Sequence, residues 1–219
     1  MDQGKLEYLE GFLSESRKNR FAEVLNNRTR YLTVALEDVY HMHNASAVIR
    51  SCDIFGIQQA HLIESRFGKR LDGKIARGAQ QWVDVERHKD ADSCIAMLRN
   101  KGYRIVATSP HTSSYSPENL PLTAPVALFF GSEKDGISLH IQEQADFQVK
   151  IPMVGFTESL NISVAAAILL YEIGNRIRNS NLNWQLDPAE VMEKRFDWTF
   201  NSVRSASEIL TRYESDLDK

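Results

Sequence analysis

Cysteine is scarce in this chain: only Cys52 and Cys94 occur, with no C-x-x-C pair. That disfavours a disulfide scaffold or a thiolate metal site and points to two buried thiols. Long apolar runs are missing too. None approaches a membrane span, and the first residues lack the apolar core of a signal peptide, so no membrane partner is expected and the cytoplasm is the expected compartment. Repeats and low-complexity segments are absent. No G-x-G-x-x-G follows the first strand-like segment, which disfavours an ordinary dinucleotide site. Gly131 and Gly136 bracket Lys134, but no Lys-Ser/Thr follows the second glycine, so this is not a P-loop. His41 and His43 form an H-x-H pair without an evident third ligand, and no metal is expected.

What remains has the composition of a globular protein, with 219 residues, 42% hydrophobic and 25% charged. That length suits one domain with extensions. The net charge of −3 is spread unevenly. Arg17, Lys18, Arg20, Arg28 and Arg30 face only Glu23 in their stretch. Arg66, Lys69, Arg70, Lys74 and Arg77 face only Asp72, while the C-terminal end is acidic. Two basic clusters suit a polyanion touching one face, although solvated surfaces give the same pattern.

Leu6, Leu9, Phe12 and Leu13, then Phe21, Val24 and Leu25, recur at helical spacing and predict one or two amphipathic helices. From Thr33 on, strand-like and helix-like segments alternate. Strands are expected at Thr33–Glu37, Ala60–Glu64, Trp82–Glu86, Arg104–Thr108, Val126–Phe130 and Phe147–Ile151. Helices are expected at Ala45–Phe55, Asp90–Asn100, Ile137–Ala145 and Leu160–Arg178, with more beyond Asp187-Pro188. This order predicts an α/β fold with a mostly parallel sheet flanked by helices. The irregular stretches Ser65–Gln81 and Ser109–Pro125 exceed ordinary connectors, which suggests functional loops.

Three blocks carry candidate chemistry. In the first, Asn44 has the character of an N-cap and Gly56 of a C′ residue. Between them Ala45, Val48, Ile49, Cys52 and Phe55 form an apolar stripe, and Arg50 projects to the polar flank, free to reach a ligand or a neighbouring subunit. In the second, a buried strand ends at Gly131, where a missing side chain would admit a ligand to the backbone; Glu133 and Gly136 follow. The third, Ile151-Pro-Met-Val-Gly…Ser-Leu-Asn161, leads from a strand end into a helix capped by Ser159 or Asn161. That helix is apolar almost all round from Val164 to Leu170, which predicts burial. Such a polar turn is either an ordinary strand–helix junction or a place to hold a ligand by backbone groups.

Taken in order, Asn44…Arg50, Gly131-Ser-Glu-Lys-Asp-Gly136 and Ile151…Asn161 resemble the three motifs of the SpoU/TrmH ribose 2′-O-methyltransferases, members of the SPOUT superfamily. The resemblance covers residues 30 to 178. It implies an α/β fold with a deep C-terminal trefoil knot, a homodimer, and S-adenosylmethionine as methyl donor. It further implies a cofactor cup in which backbone groups of Thr108, Gly131, Ile151, Met153 and Leu160 hold the ligand. Ser159 and Asn161 would support that loop and the catalytic geometry. Arg50 matches the arginine regarded as catalytic, and Asn44 and Glu133 match the other polar positions. The apolar helix after Asn161 would then be covered by the dimer mate.

The resemblance also suggests the substrate. The chain divides into a helical extension (1–30), the methyltransferase domain (31–180) and a second helical extension (181–219), an arrangement similar to tRNA enzymes that methylate a D-loop guanosine. Arg17, Lys18, Arg20, Arg28 and Arg30 would hold tRNA phosphates from the first extension, and Lys69, Arg70 and Arg77 from the loop after the second strand. Ribosomal RNA, the tRNA wobble ribose, or a non-catalytic knotted RNA-binding dimer are the alternatives. His41-Met42 stands where the family often has Lys-Pro.

Overall fold

The computed structural model describes residues 3–65, 78–109, 115–132 and 134–217. Along the chain the elements are α1 (Gln3–Glu10), α2 (Glu15–Leu25), β1 (Leu32–Glu37), α3 (Met42–Ile54), β2 (Gln59–Ile63), β3 (Asp84–His88), α4 (Ala91–Asn100), β4 (Arg104–Thr108), β5 (Val126–Phe130), α5 (Leu139–Gln144), β6 (Phe147–Val149), α6 (Ile162–Arg178), α7 (Pro188–Ser202) and α8 (Ala206–Leu217). They form two compact units: Thr29–Trp184, and the two chain ends up to Arg28 and from Gln185. No helix among the described residues is long and apolar enough to cross a membrane.

Six strands make one sheet in the order β3-β2-β1-β5-β4-β6, and every pairing is parallel. β1, β2 and β5 are buried along their whole length, as expected of a parallel sheet covered on both faces. Side-chain alternation splits the core in two. Leu32, Val34, Leu36, Leu128 and Phe130 pack with Val48, Ile49 and Cys52 of α3 and Leu169, Leu170 and Ile173 of α6. Ala35, Ile63, Ala127 and Phe129 face Cys94, Ile95 and Leu98 of α4 and Ile141 of α5. Side-chain caps start several helices: Asp90 accepts from Ser93 N (2.8 Å), Ser138 from Ile141 N (3.3 Å) and Asp187 from Glu190 N (2.8 Å).

Several elements depart from expectation: β6 ends at Val149 rather than Ile151, and α5 and α6 begin two residues late, at Leu139 and Ile162. β3 begins at Asp84 rather than Trp82, because the amides of Trp82 and Val83 are already spent on Ala79 O, at 3.0 and 3.1 Å, in a 3₁₀ turn over Ala79–Gln81. α3 begins at Met42, with His41 in the N-cap position and no side-chain cap bond. Asn44 therefore lies inside the first turn, and its side chain serves a tertiary contact instead. Finally, α6 is not buried all round within one chain: Val164 (46%), Ile168 (40%) and Tyr171 (56%) leave an exposed apolar stripe at helical spacing.

In the unit made by the chain ends, Leu6, Leu9, Phe21, Leu25 and Trp198 are buried. Tyr8 stacks on Tyr213 with ring centroids 4.5 Å apart, and Phe21 meets Trp198 edge-on at 5.7 Å. Arg195 donates to both carboxylate oxygens of Glu10. The two extensions thus share one core.

Candidate active site

The site lies beyond the carboxyl ends of β4, β5 and β6, where parallel α/β sheets ordinarily hold ligands. Thr108 closes β4, and its Oγ1 donates to Phe129 O at 2.8 Å, fixing the end of β4 against β5. Beyond β5 the chain folds back on itself. Ser132 N donates to Gly136 O at 3.1 Å, Gly136 N returns a bond to Ser132 O at 3.0 Å, and Asp135 N donates to Ser132 Oγ at 3.0 Å. Gly136 takes φ +68°, a left-handed value that favours glycine. A Cβ on Gly131 would stand 2.0 Å from Gly136 C and from Ile137 N. The missing side chain at Gly131 is therefore required first by the chain's own backbone, a correction to the expectation that it serves ligand approach. Ser138 N then donates to Glu37 Oε2 at 2.9 Å, anchoring this loop to the end of β1.

After β6 the chain runs irregularly from Lys150 to Leu160 and enters α6 at Asn161. Of the two candidate caps, Asn161 is the one used: its Oδ1 accepts from Ser163 N at 2.8 Å. Its Nδ2 donates to Asn44 Oδ1 at 3.3 Å, so the third block is tied to the first. Asn44 is buried.

These segments enclose a cavity of about 550 Å³, within the ordinary range for small-molecule sites. Thr108, Gly131, Ile151, Met153, Ser159, Leu160 and Asn161 all line it, every position the resemblance names for the cofactor. Sequence reasoning missed Ser109, Asp135 and Gln142, which line it as well. Asp135 was within reach, since it sits between Lys134 and Gly136 of the second block; Gln142 comes from α5 and had no motif to mark it. Apolar walls from Phe130, Ile137, Val149 and Leu169 complete a surface able to sandwich a flat ring while backbone bends meet its polar edges.

Other named residues lie elsewhere. Arg50 is exposed on α3 and does not line the cavity. Glu133, Lys69, Arg70 and Arg77 lie outside the described residues. The first basic cluster is divided between the two units. Arg28 is fully buried, with its guanidinium 5.3 Å from the Trp198 ring, so it is withdrawn as a phosphate contact. Arg30 belongs to the other unit, bonded to Asp84 (2.6 Å) and Gln59 (3.0 Å). Lys18 pairs with Glu15 and Arg20 with Glu23, each at 2.7 Å, and Arg17 lies over the Phe21 ring. The rings of His41 and His43 stack with centroids 5.2 Å apart.

Residues 31–171 match the family described as SpoU rRNA methylase. The chain belongs to the SpoU methylase family. Its SpoU relatives include a protein of Borreliella burgdorferi, named tRNA (guanosine(18)-2′-O)-methyltransferase, 40% identical over 197 residues, 90% of each chain. A protein of the same name from Thermus thermophilus is 35% identical over 187 residues, 84% of this chain and 96% of the relative. Among solved structures, the A. aeolicus TrmH/SpoU tRNA modifying enzyme superposes with a TM-score of 0.76 at 31% identity, covering 87% of this chain and 98% of that one. The SpoU match spans β1 to the middle of α6 and includes all three blocks.

Proposed function

We propose that this chain methylates the ribose 2′-hydroxyl of guanosine 18 in the D-loop of tRNA, with S-adenosylmethionine as donor. The observation that carries the reading is the convergence of the second and third blocks on one cavity, with the first tied to it through Asn44 and Asn161. The names borne by the Borreliella and Thermus relatives supply the nucleotide.

The cavity suits the cofactor in size and lining, with apolar walls for an adenine ring and the bends at Gly131 and Ile151–Asn161 for its ribose and amino-acid parts. Bound there, the cofactor supplies a sulfonium methyl, already a strong electrophile. The protein must then place the 2′-oxygen in line and help it lose its proton. Arg50 keeps its own proton in nearly all settings, so its part is to clamp a neighbouring phosphate and stabilise the developing alkoxide rather than act as base. Because Arg50 is exposed and outside its own chain's cavity, it acts across a homodimer. The stripe Val164, Ile168 and Tyr171 is the apolar surface such a mate would cover. The trefoil knot implied by the resemblance belongs to the same proposal. Arg17, Lys18 and Arg20 contact tRNA phosphates, joined by Lys69, Arg70 and Arg77.

Mass spectrometry of the oligonucleotides from nuclease-digested tRNA, previously unmodified and incubated with the protein and S-adenosylmethionine, tests this. The expected product is 2′-O-methylguanosine at position 18. A mark at another nucleotide, or none, overturns the reading.

A further inference from the structure

Away from the cavity, three side chains with metal-binding chemistry meet where β2, β3 and α4 come together. β2 and β3 pair in parallel with Ile63 opposite His88, so His61, two residues back, shares the His88 face of the sheet. α4 covers that face and carries Cys94 one turn from its start. A ring nitrogen from each histidine and the Cys94 sulfur all lie within 4.8 Å of one another. Nδ1 of His61 and Nε2 of His88 are 3.1 Å apart. None of the three lines the cavity.

We propose that His61, His88 and Cys94 bind a transition-metal ion, zinc foremost, that pins β3 and α4 to β2. Two imidazoles and a thiolate are the donor set that zinc favours over hard-oxygen ions. A tetrahedral zinc with bonds of 2.0–2.3 Å sets its ligand atoms roughly 3.3–3.6 Å apart. The cluster, at most 4.8 Å across, must close by up to roughly 1.5 Å to reach that spacing. Glu86 Oε2 stands 3.8 Å from His61 Nδ1 and its side chain reaches solvent, so a carboxylate or a water can complete the shell.

His61 offers the ion its Nδ1, the nitrogen that faces His88 and Glu86. The ring is fully buried, and its Nε2 has no hydrogen-bond partner among the described residues. An ion on Nδ1 fixes the ring proton on Nε2. The metal ligand is the thiolate, not the thiol. Binding therefore displaces the thiol proton: a sulfur–metal bond forms, the S–H bond breaks, and one proton is released to solvent per ion.

Cobalt(II) titration of the metal-free full-length protein tests the site. One equivalent of cobalt should raise a thiolate-to-metal charge-transfer band that zinc abolishes. Cys94→Ala should remove the band, and His88→Gln, at the sheet edge where folding is least at risk, should weaken binding at least about tenfold. Cys52→Ala, a buried thiol in the opposite core, should leave it unchanged. Circular dichroism establishes that each variant is folded. Absence of the band in the parent protein, or its survival in both Cys94→Ala and His88→Gln, means a plain histidine pair beside a core thiol and overturns the proposal.

Discussion

Asn161 reaches Asn44 across 117 positions of sequence, its Nδ2 donating to Asn44 Oδ1 at 3.3 Å. The other end of the same amide caps α6, its Oδ1 accepting from Ser163 N at 2.8 Å and from Ser163 Oγ at 2.6 Å. One side chain thus sets where α6 begins and holds the cavity wall to α3.

The two duties can be separated. Asn161→Ser keeps a capping oxygen but is too short for Asn44, so it should cost about 0.5–1 kcal/mol, for the lost bond alone. Asn161→Ala loses both and should cost roughly 1–2 kcal/mol in urea unfolding. Both variants should weaken S-adenosylmethionine binding in titration calorimetry. Unchanged cofactor affinity in Asn161→Ala would detach this amide from the site.

Gly131→Ala should be severe for a one-carbon change. The new methyl would meet Gly136 and Ile137 backbone at 2.0 Å, so the loop must open. A loss of about 1–3 kcal/mol is expected on thermal or urea unfolding, together with loss of cofactor binding. A variant of parent stability would show that the loop yields easily.

Arg28 and Arg20 should behave oppositely although they stand in the same basic stretch. Arg28→Ala removes a buried cation from the Trp198 ring and should destabilise by on the order of 2 kcal/mol. Arg20→Ala, on an exposed pair with Glu23, should leave stability within about 0.5 kcal/mol. Its effect should instead be weaker tRNA binding and a salt dependence shallower by about one counterion. Filter binding at several salt concentrations distinguishes the two.

Acid should weaken the fold through His61. Its folded value is about 3 against an ordinary 6.5. Between those values the unfolded chain takes up a proton that the folded chain refuses, so this contribution is whole above about 6.5 and shrinks as pH falls toward 3. Burial lowers His88 in the same direction, with Glu86 and Asp90 opposing it. In metal-free protein with chelator present, His61→Gln should flatten the decline of unfolding free energy, by up to about 1.4 kcal/mol per pH unit within that window. An equally steep decline in the variant would assign acid lability elsewhere.

Much of the sheet was legible because its strands are short apolar runs bounded by turns. β4 and β5 begin and end where the sequence placed them, and the parallel order follows from alternation with helices. The errors share a cause: a residue's local character was outweighed by a distant partner or a neighbouring turn. Asn44 reads as a cap but bonds Asn161. Trp82 and Val83 read as strand, yet the 3₁₀ turn before them takes their amides. Arg28 reads as a surface cation until Trp198, 170 positions on, covers it. The cavity residues were found through the resemblance, since spacing alone left the third block open between a junction and a site. Nothing local marks His61, His88 and Cys94 as neighbours, because β2, β3 and α4 must assemble before they meet.

Arg50→Ala should abolish methyl transfer while S-adenosylmethionine binds with nearly parent affinity, because its proposed part is played on the RNA phosphate and the developing alkoxide rather than on the cofactor. Paired calorimetry and transfer assays read the two separately. A collapse of cofactor affinity would make Arg50 part of the binding site instead.

Delivery of the methyl to one ribose oxygen is the central claim. Its most direct measurement compares radiolabelled methyl uptake by two otherwise identical synthetic tRNAs, one with guanosine at position 18 and one with 2′-deoxyguanosine there. One methyl group should enter the first and none the second; equal labelling of both would contradict it.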